Sequence, residues 1–440
     1  MAGELKKETE QGTMRRGGKL PELLIPAGNL DTLKTAVRYG ADAVYIGGEA
    51  FSLRAKADNF GKEAMREAIA FAHAHGVKLY VTVNIFAHNA DLARAEQYFK
   101  ELGETKPDAL IISDPGLFSM CRRILPQMEI HISTQMNNTN YETFQFWHAL
   151  GAKRVVTARE LSLKEIAQIR ANIPDDLEIE SFVHGAMCIS YSGRCLLSSF
   201  MTGRDANRGA CTHPCRWNYA LQEEKRPGEY FPVEEDERGT YIFNSKDLCM
   251  IEHLPELIAA GIDSLKVEGR MKTQLYVATV ARTYRKALDD LQEDENLYRK
   301  NLPRYREEIA KCTYRAFTTG FYFGKPHAEG QIYDNSTYVR DYTFLGCVED
   351  VTPDGLCLIE QKNKFKKGDT IEIMKTGLRD ETASVLAIYD AQSGEEQESC
   401  PHPKQKLLLK LSTIPEKYDI LECRSEAVRE VNKEGCSACE

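Results

Sequence analysis

Eight short apolar runs recur along this chain, at residues 22–25, 43–46, 78–83, 109–112, 129–133, 154–157, 177–183 and 264–267. Amphipathic stretches such as 62–75 and 142–150, apolar at helical spacing, separate most of them. Strands that alternate with helices form a parallel sheet, either closed as a (β/α)8 barrel or open and doubly wound; a count of eight favours the barrel. Asn29 or Asp31 is placed to cap the first helix. In a barrel, chemistry sits where the strands end at their C-terminal side. There the sequence places Pro26-Ala27-Gly28, Gly47-Gly48, Asn84, Asp114, Thr134-Gln135, Arg159-Glu160, His184-Gly185 and Glu268-Gly269-Arg270. This ring is polar and glycine-rich, as a ligand site requires.

The connection after the seventh run is far longer than the others. It spans about 184–260, and connections of this length are usually functional. It carries Cys188, Cys195, Cys211 and Cys215 in the spacing C-x6-C-x15-C-x3-C. Thiolates are soft ligands that select zinc or iron–sulfur clusters. Zinc templates commonly use C-x2-C pairs, whereas a [4Fe–4S] cluster accepts wider gaps. The spacing therefore favours a cluster over zinc or over four buried free thiols. Cys249 reads as a core thiol at a helix start, or as a replacement for one of the four ligands, and Cys436 and Cys439 form a terminal C-x2-C pair.

Charge matters at this connection. The whole chain is acidic, with 57 basic and 66 acidic residues and a net charge of −9, so nothing global draws it to nucleic acid. Between residues 186 and 220, however, Arg194, Arg204, Arg208 and Arg216 face Asp205 alone, interleaved with Tyr191, Phe200, Trp217 and Tyr219. Guanidinium groups pair with phosphate or carboxylate and aromatic rings stack unpaired bases, which points to single-stranded RNA or an anionic small molecule. Glu268 and Arg270 at the rim can pair or bind substrate, and Lys272, Arg282, Arg285 and Lys286 extend the basic character beyond them. A second basic turn, KNKFKKGD, holds Lys362, Lys364, Lys366 and Lys367. There is no H-E-x-x-H and no G-x-S-x-G. His184 near Cys188 imitates a protease pair, but a metal-bound thiolate is not free to attack. His131, inside a strand, reads as structural.

At 440 residues the chain accommodates two or three domains. Residues 1–20 read as a polar tail, 21–328 as the barrel domain with its insertion 184–260, and 329–430 as a small all-β barrel, followed by a tail at 431–440. Residues 280–316 read as helical, and the β-type runs are 344–348, 355–361, 369–374, 384–389 and 406–411. The segment 223–238 reads as an exposed charged loop. With no secretory leader and no membrane-length apolar run, the 13 cysteines are expected to be reduced in a cytoplasmic protein.

The stretch ESFVHGAMCISYSGRCLLS at 180–198 strongly resembles the signature of the collagenase-like, U-class peptidase family of unknown mechanism. ELLIPAG at 22–28, ADAVYIG at 41–47, NSKDL at 244–248 and SLKVEGR at 264–270 carry the likeness over about residues 20–430. Within that family, SDPG at 113–116, FW at 146–147, ARELS at 158–162, VHG at 183–185 and CTHPCRW at 211–217 resemble a tRNA-hydroxylating branch. The close C-x3-C ending separates it from a sister branch that hydroxylates ubiquinone. The resemblance implies formation of 5-hydroxyuridine at the tRNA wobble position, with prephenate as a required metabolite. It makes Cys188, Cys195, Cys211 and Cys215 the ligands of a [4Fe–4S] cluster. On this reading a uridine of the anticodon loop enters the rim, stacked on an aromatic. Arg204, Arg208, Arg216 and Arg270 hold phosphate or carboxylate, with Glu268 and His184 beside them. The β domain grips RNA backbone or a paralogous partner subunit. Proteolysis is the alternative, and a non-enzymatic cluster scaffold the third reading.

Overall fold

The computed structural model describes residues 20–53, 59–188, 190–217, 220–221, 231–232, 244–312, 314–325, 331–332, 341–402 and 404–424. The tail before residue 20, most of the charged segment 223–238, Tyr219, Cys436 and Cys439 lie outside them. The chain divides into two compact units.

The first unit holds eight parallel strands: β1 (Glu22–Pro26), β2 (Ala43–Gly47), β3 (Lys78–Val83), β4 (Ala109–Ile112), β5 (Glu129–Ile132), β6 (Arg154–Val156), β7 (Glu178–Ala186) and β8 (Ser264–Val267). Each pairs with the next, and β8 pairs with both β7 and β1, which closes the barrel. Between them run α1 (Leu30–Arg38), α2 (Lys62–Ala74), α3 (Leu92–Thr105), α4 (Pro115–Ile124), α5 (Tyr141–Ala149) and α6 (Leu163–Ala171). The first helix begins directly after Asn29. Local signals set several of these boundaries. The Asp114 carboxylate accepts from the Leu117 amide at 2.9 Å and Pro115 opens α4. Ser162 and Glu165 close a reciprocal cap on α6.

The barrel interior is partly ionic. Lys266 donates to Glu180 at 2.6 Å, and Arg154 meets Glu180 at 3.1 Å and Glu22 at 2.6 Å. All of these groups but Glu22 are essentially dry, Glu180 being 0 % exposed. Burial disfavours the Glu22 carboxylate, yet Arg154 and the Tyr80 hydroxyl hold its pKa at about 2. His131 is fully buried with Nε2 2.9 Å from Glu129. Burial, reinforced by Arg154, keeps its imidazole neutral. Below and beside this network Leu24, Ala43, Tyr45, Tyr80, Ala109 and Ile111 form an apolar cluster.

After β7 the chain continues through helix α7 (Leu197–Thr202), a strand at Asp247–Cys249 that pairs antiparallel with the end of β7, and α8 (Leu254–Ala259). The second unit comprises Asp31–Ala41, Lys272–Tyr314 and Tyr338–Glu440. The helical reading at 280–316 is revised: α9 (Gln274–Glu293), α10 (Glu295–Lys300) and α11 (Leu302–Ile309) are separate helices. Asp294 is extended and caps α10 through the Asn296 amide, and Pro303 opens α11, so one continuous helix cannot form. Just beyond that stretch, Phe317–Thr318 is strand.

Strands β9 (Tyr342–Val351), β10 (Cys357–Glu360), β11 (Thr370–Met374), β12 (Glu381–Asp390), β13 (Lys406–Leu411) and β14 (Ile420–Arg424) make an antiparallel barrel in the order β11-β14-β9-β10-β13-β12, closed by β11 on β12. Its core includes Leu345, Val348, Ile359, Ile371, Ile373 and Leu409. Within this unit Lys311 sits among Asp380 at 2.8 Å, Glu372 at 3.1 Å, Glu308 at 3.6 Å and Glu422 at 3.8 Å. Among the described residues no helix is long and apolar enough to cross a membrane.

Candidate active site at the barrel mouth

The C-terminal mouth is built from side chains locked to one another. Arg270, 5 % exposed, donates from Nη1 to Ser52 at 2.7 Å and to Thr82 at 3.1 Å. It reaches them by passing over the end of β2, where a Cβ on Gly47 would stand 1.9 Å from Nη1. A Cβ on Gly28 would meet the Arg270 carbonyl at 2.2 Å. The two glycines of the rim are therefore the space that the arginine occupies. Opposite, Arg159 lies over the Phe182 ring at 4.0 Å and donates to Glu268 at 3.3 Å and to the Ala186 carbonyl at 3.1 Å. Asn84 accepts from the Leu53 amide at 3.1 Å, and Tyr322 donates to the Phe182 carbonyl at 2.6 Å. Burial raises the pKa of the Glu160 carboxyl. His184 is buried, its ring 5.8 Å from that of Phe317.

The cysteine segment is tethered across this mouth at two points. Arg208 forms two hydrogen bonds to Asp91, at 2.9 and 3.1 Å, in the connection after β3. The Arg208 guanidinium holds Asp91 at about 2. At the other point Arg194 donates from Nε to Asn137 at 2.8 Å, and Asn137 donates to the Ser192 carbonyl at 2.9 Å, after β5. Gly193, at φ +72°, completes the turn; a Cβ there would stand 2.4 Å from Gln135 Oε1. Between the tethers, the Ser198 hydroxyl joins Thr212 at 3.1 Å and Thr202 joins it at 3.2 Å. These bonds bring α7 against the residues flanking Cys211.

The cysteines differ in environment from the rest. Burial pushes Cys121, Cys347 and Cys357 up to about 12, which makes them inert packing thiols. Cys188 is exposed and Cys195, Cys211 and Cys215 are partly exposed, so the reading as four buried thiols is set aside. The His213 amide lies 3.4 Å from the Cys211 sulfur and donates to it, an arrangement that stabilises a thiolate. Tetrahedral zinc would draw its sulfurs to about 3.8 Å of one another. Among the described residues, the ligand atoms of three or more metal-binding side chains come within 4.8 Å of one another only at Glu372, Asp380 and Glu422, where Lys311 already supplies the cation. No three of the four thiols share that distance. Four soft thiolates are the donor set that an iron–sulfur cluster takes, so these residues fit one.

The residues singled out from sequence fall into two groups. Arg270, Glu268 and His184 lie at the mouth, engaged as described. Arg204 is exposed with no partner among the described residues, while Arg208 is committed to Asp91. The Arg216 side chain lies outside the described residues. Ser52, Thr82, Asp91 and Asn137 were not recognisable as parts of the site: each is an ordinary polar residue whose role comes from a partner distant in sequence.

The profile of Peptidase family U32 matches residues 28–332, and that of the Peptidase family U32 C-terminal domain matches 340–421. The chain is 44 % identical over 395 residues to tRNA hydroxylation protein P1 of Bacillus subtilis, covering 89 % of this chain and 92 % of that one. It is 42 % identical over 394 residues to tRNA hydroxylation protein P of Escherichia coli, covering 80 % and 86 %. The 23S rRNA 5-hydroxycytidine C2501 synthase of Escherichia coli is 37 % identical over 300 residues, 68 % of this chain and 44 % of that one.

Proposed function

The chain belongs to peptidase family U32, and on that premise we propose that it hydroxylates tRNA, converting the wobble uridine to 5-hydroxyuridine. The observation that carries this reading is the four-thiol segment pinned over the mouth of a closed barrel, in a chain whose relatives are named for RNA hydroxylation. Replacing C5–H by C5–OH is a two-electron oxidation of the base, balanced by an oxygen-atom donor that is itself reduced by two electrons, and a cluster held by Cys188, Cys195, Cys211 and Cys215 would relay those electrons. The protein's share is to bind, orient and exclude water. Arg159 and Glu268 form one wall of the mouth, and Arg270 with Ser52 and Thr82 the other. Prephenate, a small dicarboxylate, is the metabolite this reading requires.

Proteolysis is less supported. Among the described residues Cys188 makes no hydrogen bond to a histidine, so it lacks the base that a cysteine nucleophile needs. The test is nucleoside mass spectrometry of tRNA from cells lacking the gene. Loss of 5-hydroxyuridine derivatives, restored by the wild-type chain, is expected; unchanged nucleosides in a strain with no parallel hydroxylase would refute the reading.

A further inference from the structure

The connection that carries the cysteines also holds a group of large exposed apolar side chains. Phe200 is 86 % exposed, Leu196 67 %, and Tyr191 and Trp217 each 45 %. Leu196, the N-cap of α7, lies four residues before Phe200, whose amide donates to the Leu196 carbonyl at 2.9 Å. Solvating a Phe side chain this fully forfeits the roughly 1.5–3 kcal/mol its burial would contribute. Helix α7 is nonetheless fixed from beneath by Ser198, Thr202 and Thr212 and held on either side by the Arg194 and Arg208 tethers. It is a rigid apolar knob held over the rim.

We propose that this knob is a stacking platform for unpaired RNA bases that flank the nucleotide in the barrel mouth. Phe200 is its centre, and Arg194 and Arg204 take the adjacent phosphates. The proposal rests on the RNA-hydroxylation reading and adds the surface that distinguishes a loop from a duplex. Charge selects this occupant. Between residues 186 and 220 four arginines stand against Asp205 alone in an otherwise acidic chain, and single-stranded RNA presents bases and phosphates in alternation, a pattern that aromatics interleaved with arginines match. Arg204 is exposed without a partner among the described residues, and Arg194 commits only Nε to Asn137. Arg208 has a different task here: its two bonds to Asp91 make it the tether that positions the platform.

The probes are a fluorescent RNA hairpin with a seven-nucleotide unpaired loop containing uridine, and the same RNA annealed to its full complement. Binding to the full-length protein is measured by anisotropy. Phe200→Ala should weaken loop binding about tenfold, the loss of one stacked base, with little effect on the duplex. Phe200→Tyr should restore it. Phe146→Ala, which removes another exposed ring, 56 % exposed, on α5, should change nothing. Arg204→Gln should lower the slope of log affinity against log salt by about one. Loop affinity within twofold of wild type in Phe200→Ala overturns the proposal, and leaves the hydroxylation reading standing when tRNA from that variant strain is still modified. A change in sedimentation with unchanged RNA affinity also overturns it, assigning the surface to a protein partner. A wild-type protein that binds neither RNA and whose loss leaves tRNA nucleosides unchanged defeats both readings.

Discussion

Replacing Gly47 by alanine tests whether the barrel mouth is built around Arg270. The new Cβ would stand 1.9 Å from Arg270 Nη1, 2.5 Å from Ser52 Oγ and 3.1 Å from Arg270 Cζ. The guanidinium cannot shift sideways without losing its 2.7 Å bond to Ser52 and its 3.1 Å bond to Thr82. Buried hydrogen bonds to a charged group contribute about 1.5–3 kcal/mol each, and forced overpacking costs about 1–3 kcal/mol. Against this, restricting the unfolded chain returns about 0.4–1 kcal/mol. Part of the clash relaxes, so a net loss of about 2–5 kcal/mol is expected, or roughly 5–15 °C in the thermal transition of a unit this size. Arg270→Ala alone leaves Ser52 and Thr82 bonded to each other at 2.6 Å, so their hydroxyls stay satisfied. With the guanidinium gone the Ser52 hydroxyl, 2.5 Å from the added Cβ, can turn aside into the vacated space. The Gly47→Ala/Arg270→Ala double variant should be no less stable than Arg270→Ala, a coupling of about 2 kcal/mol or more. Thermal and urea unfolding of the four proteins, read beside 5-hydroxyuridine yield, closes the cycle. Additivity within about 0.5 kcal/mol, or a Gly47→Ala protein as stable as wild type, would refute the reasoning.

Three further outcomes follow from the same structure. Burial holds Glu422 up to about 8, with both carboxylate oxygens lacking hydrogen bonds. Its folded-state pKa lies above the unfolded value, so its contribution is complete below the ordinary carboxylate range and is lost as pH rises through about 8, with a ceiling of about 5 kcal/mol. Glu422→Gln should flatten the fall in melting temperature between pH 6 and pH 9, and a parallel fall in both proteins counts against this. Lys266→Met strips Glu180 of its 2.6 Å partner inside the barrel, which should cost about 3–5 kcal/mol. Adding Glu180→Gln should recover part of that loss, as urea titration would show. Finally, serine at Cys188, Cys195, Cys211 or Cys215 should lower the iron and acid-labile sulfide of anaerobically purified protein, while Cys249→Ser should keep them. Equal iron in all five variants would rule out the ligand set.

The barrel was legible because each strand is short, apolar and separated from the next by a helix with clear caps, as at Asp114 and Ser162. The strand ends read from sequence, such as 78–83, 109–112 and 264–267, coincide with those observed. Periodicity could not place the breaks in the 280–316 stretch, because Asp294 and Pro303 interrupt it only through local backbone geometry. The last strand, Ile420–Arg424, was not read at all. It lies between β11 and β9, a pairing that no local sequence window contains. The cysteines were visible at once, since four thiols in one connection are rare. The tethers were not: Arg208 read as a phosphate ligand because its partner Asp91 lies 117 residues away.

The family name and the relatives' names suggest two activities, and the tethers bear on the hydroxylation proposed above. A cysteine peptidase needs one activated thiol within reach of a base, and the other three cysteines would be incidental. Here Cys195 lies between the Arg194 and Arg208 attachments, with Cys188 six residues before the first and Cys211 and Cys215 three and seven residues beyond the second. The one histidine close in sequence to Cys188, His184, is buried and turned toward Phe317. Anchoring costs conformational entropy of about 1–2 kcal/mol for each ordered residue, and a loop that merely exposed a nucleophile would not need it. Holding several thiols in fixed relation to one mouth does need it, because ligand geometry for a cluster is set before the cluster arrives. On the same reading a base offered to the mouth would be held while the exposed ring of Phe200 stacks on its neighbour. On the proposed reading, the cysteine positions and the exposed aromatic group serve one requirement, a held segment over a polar barrel mouth.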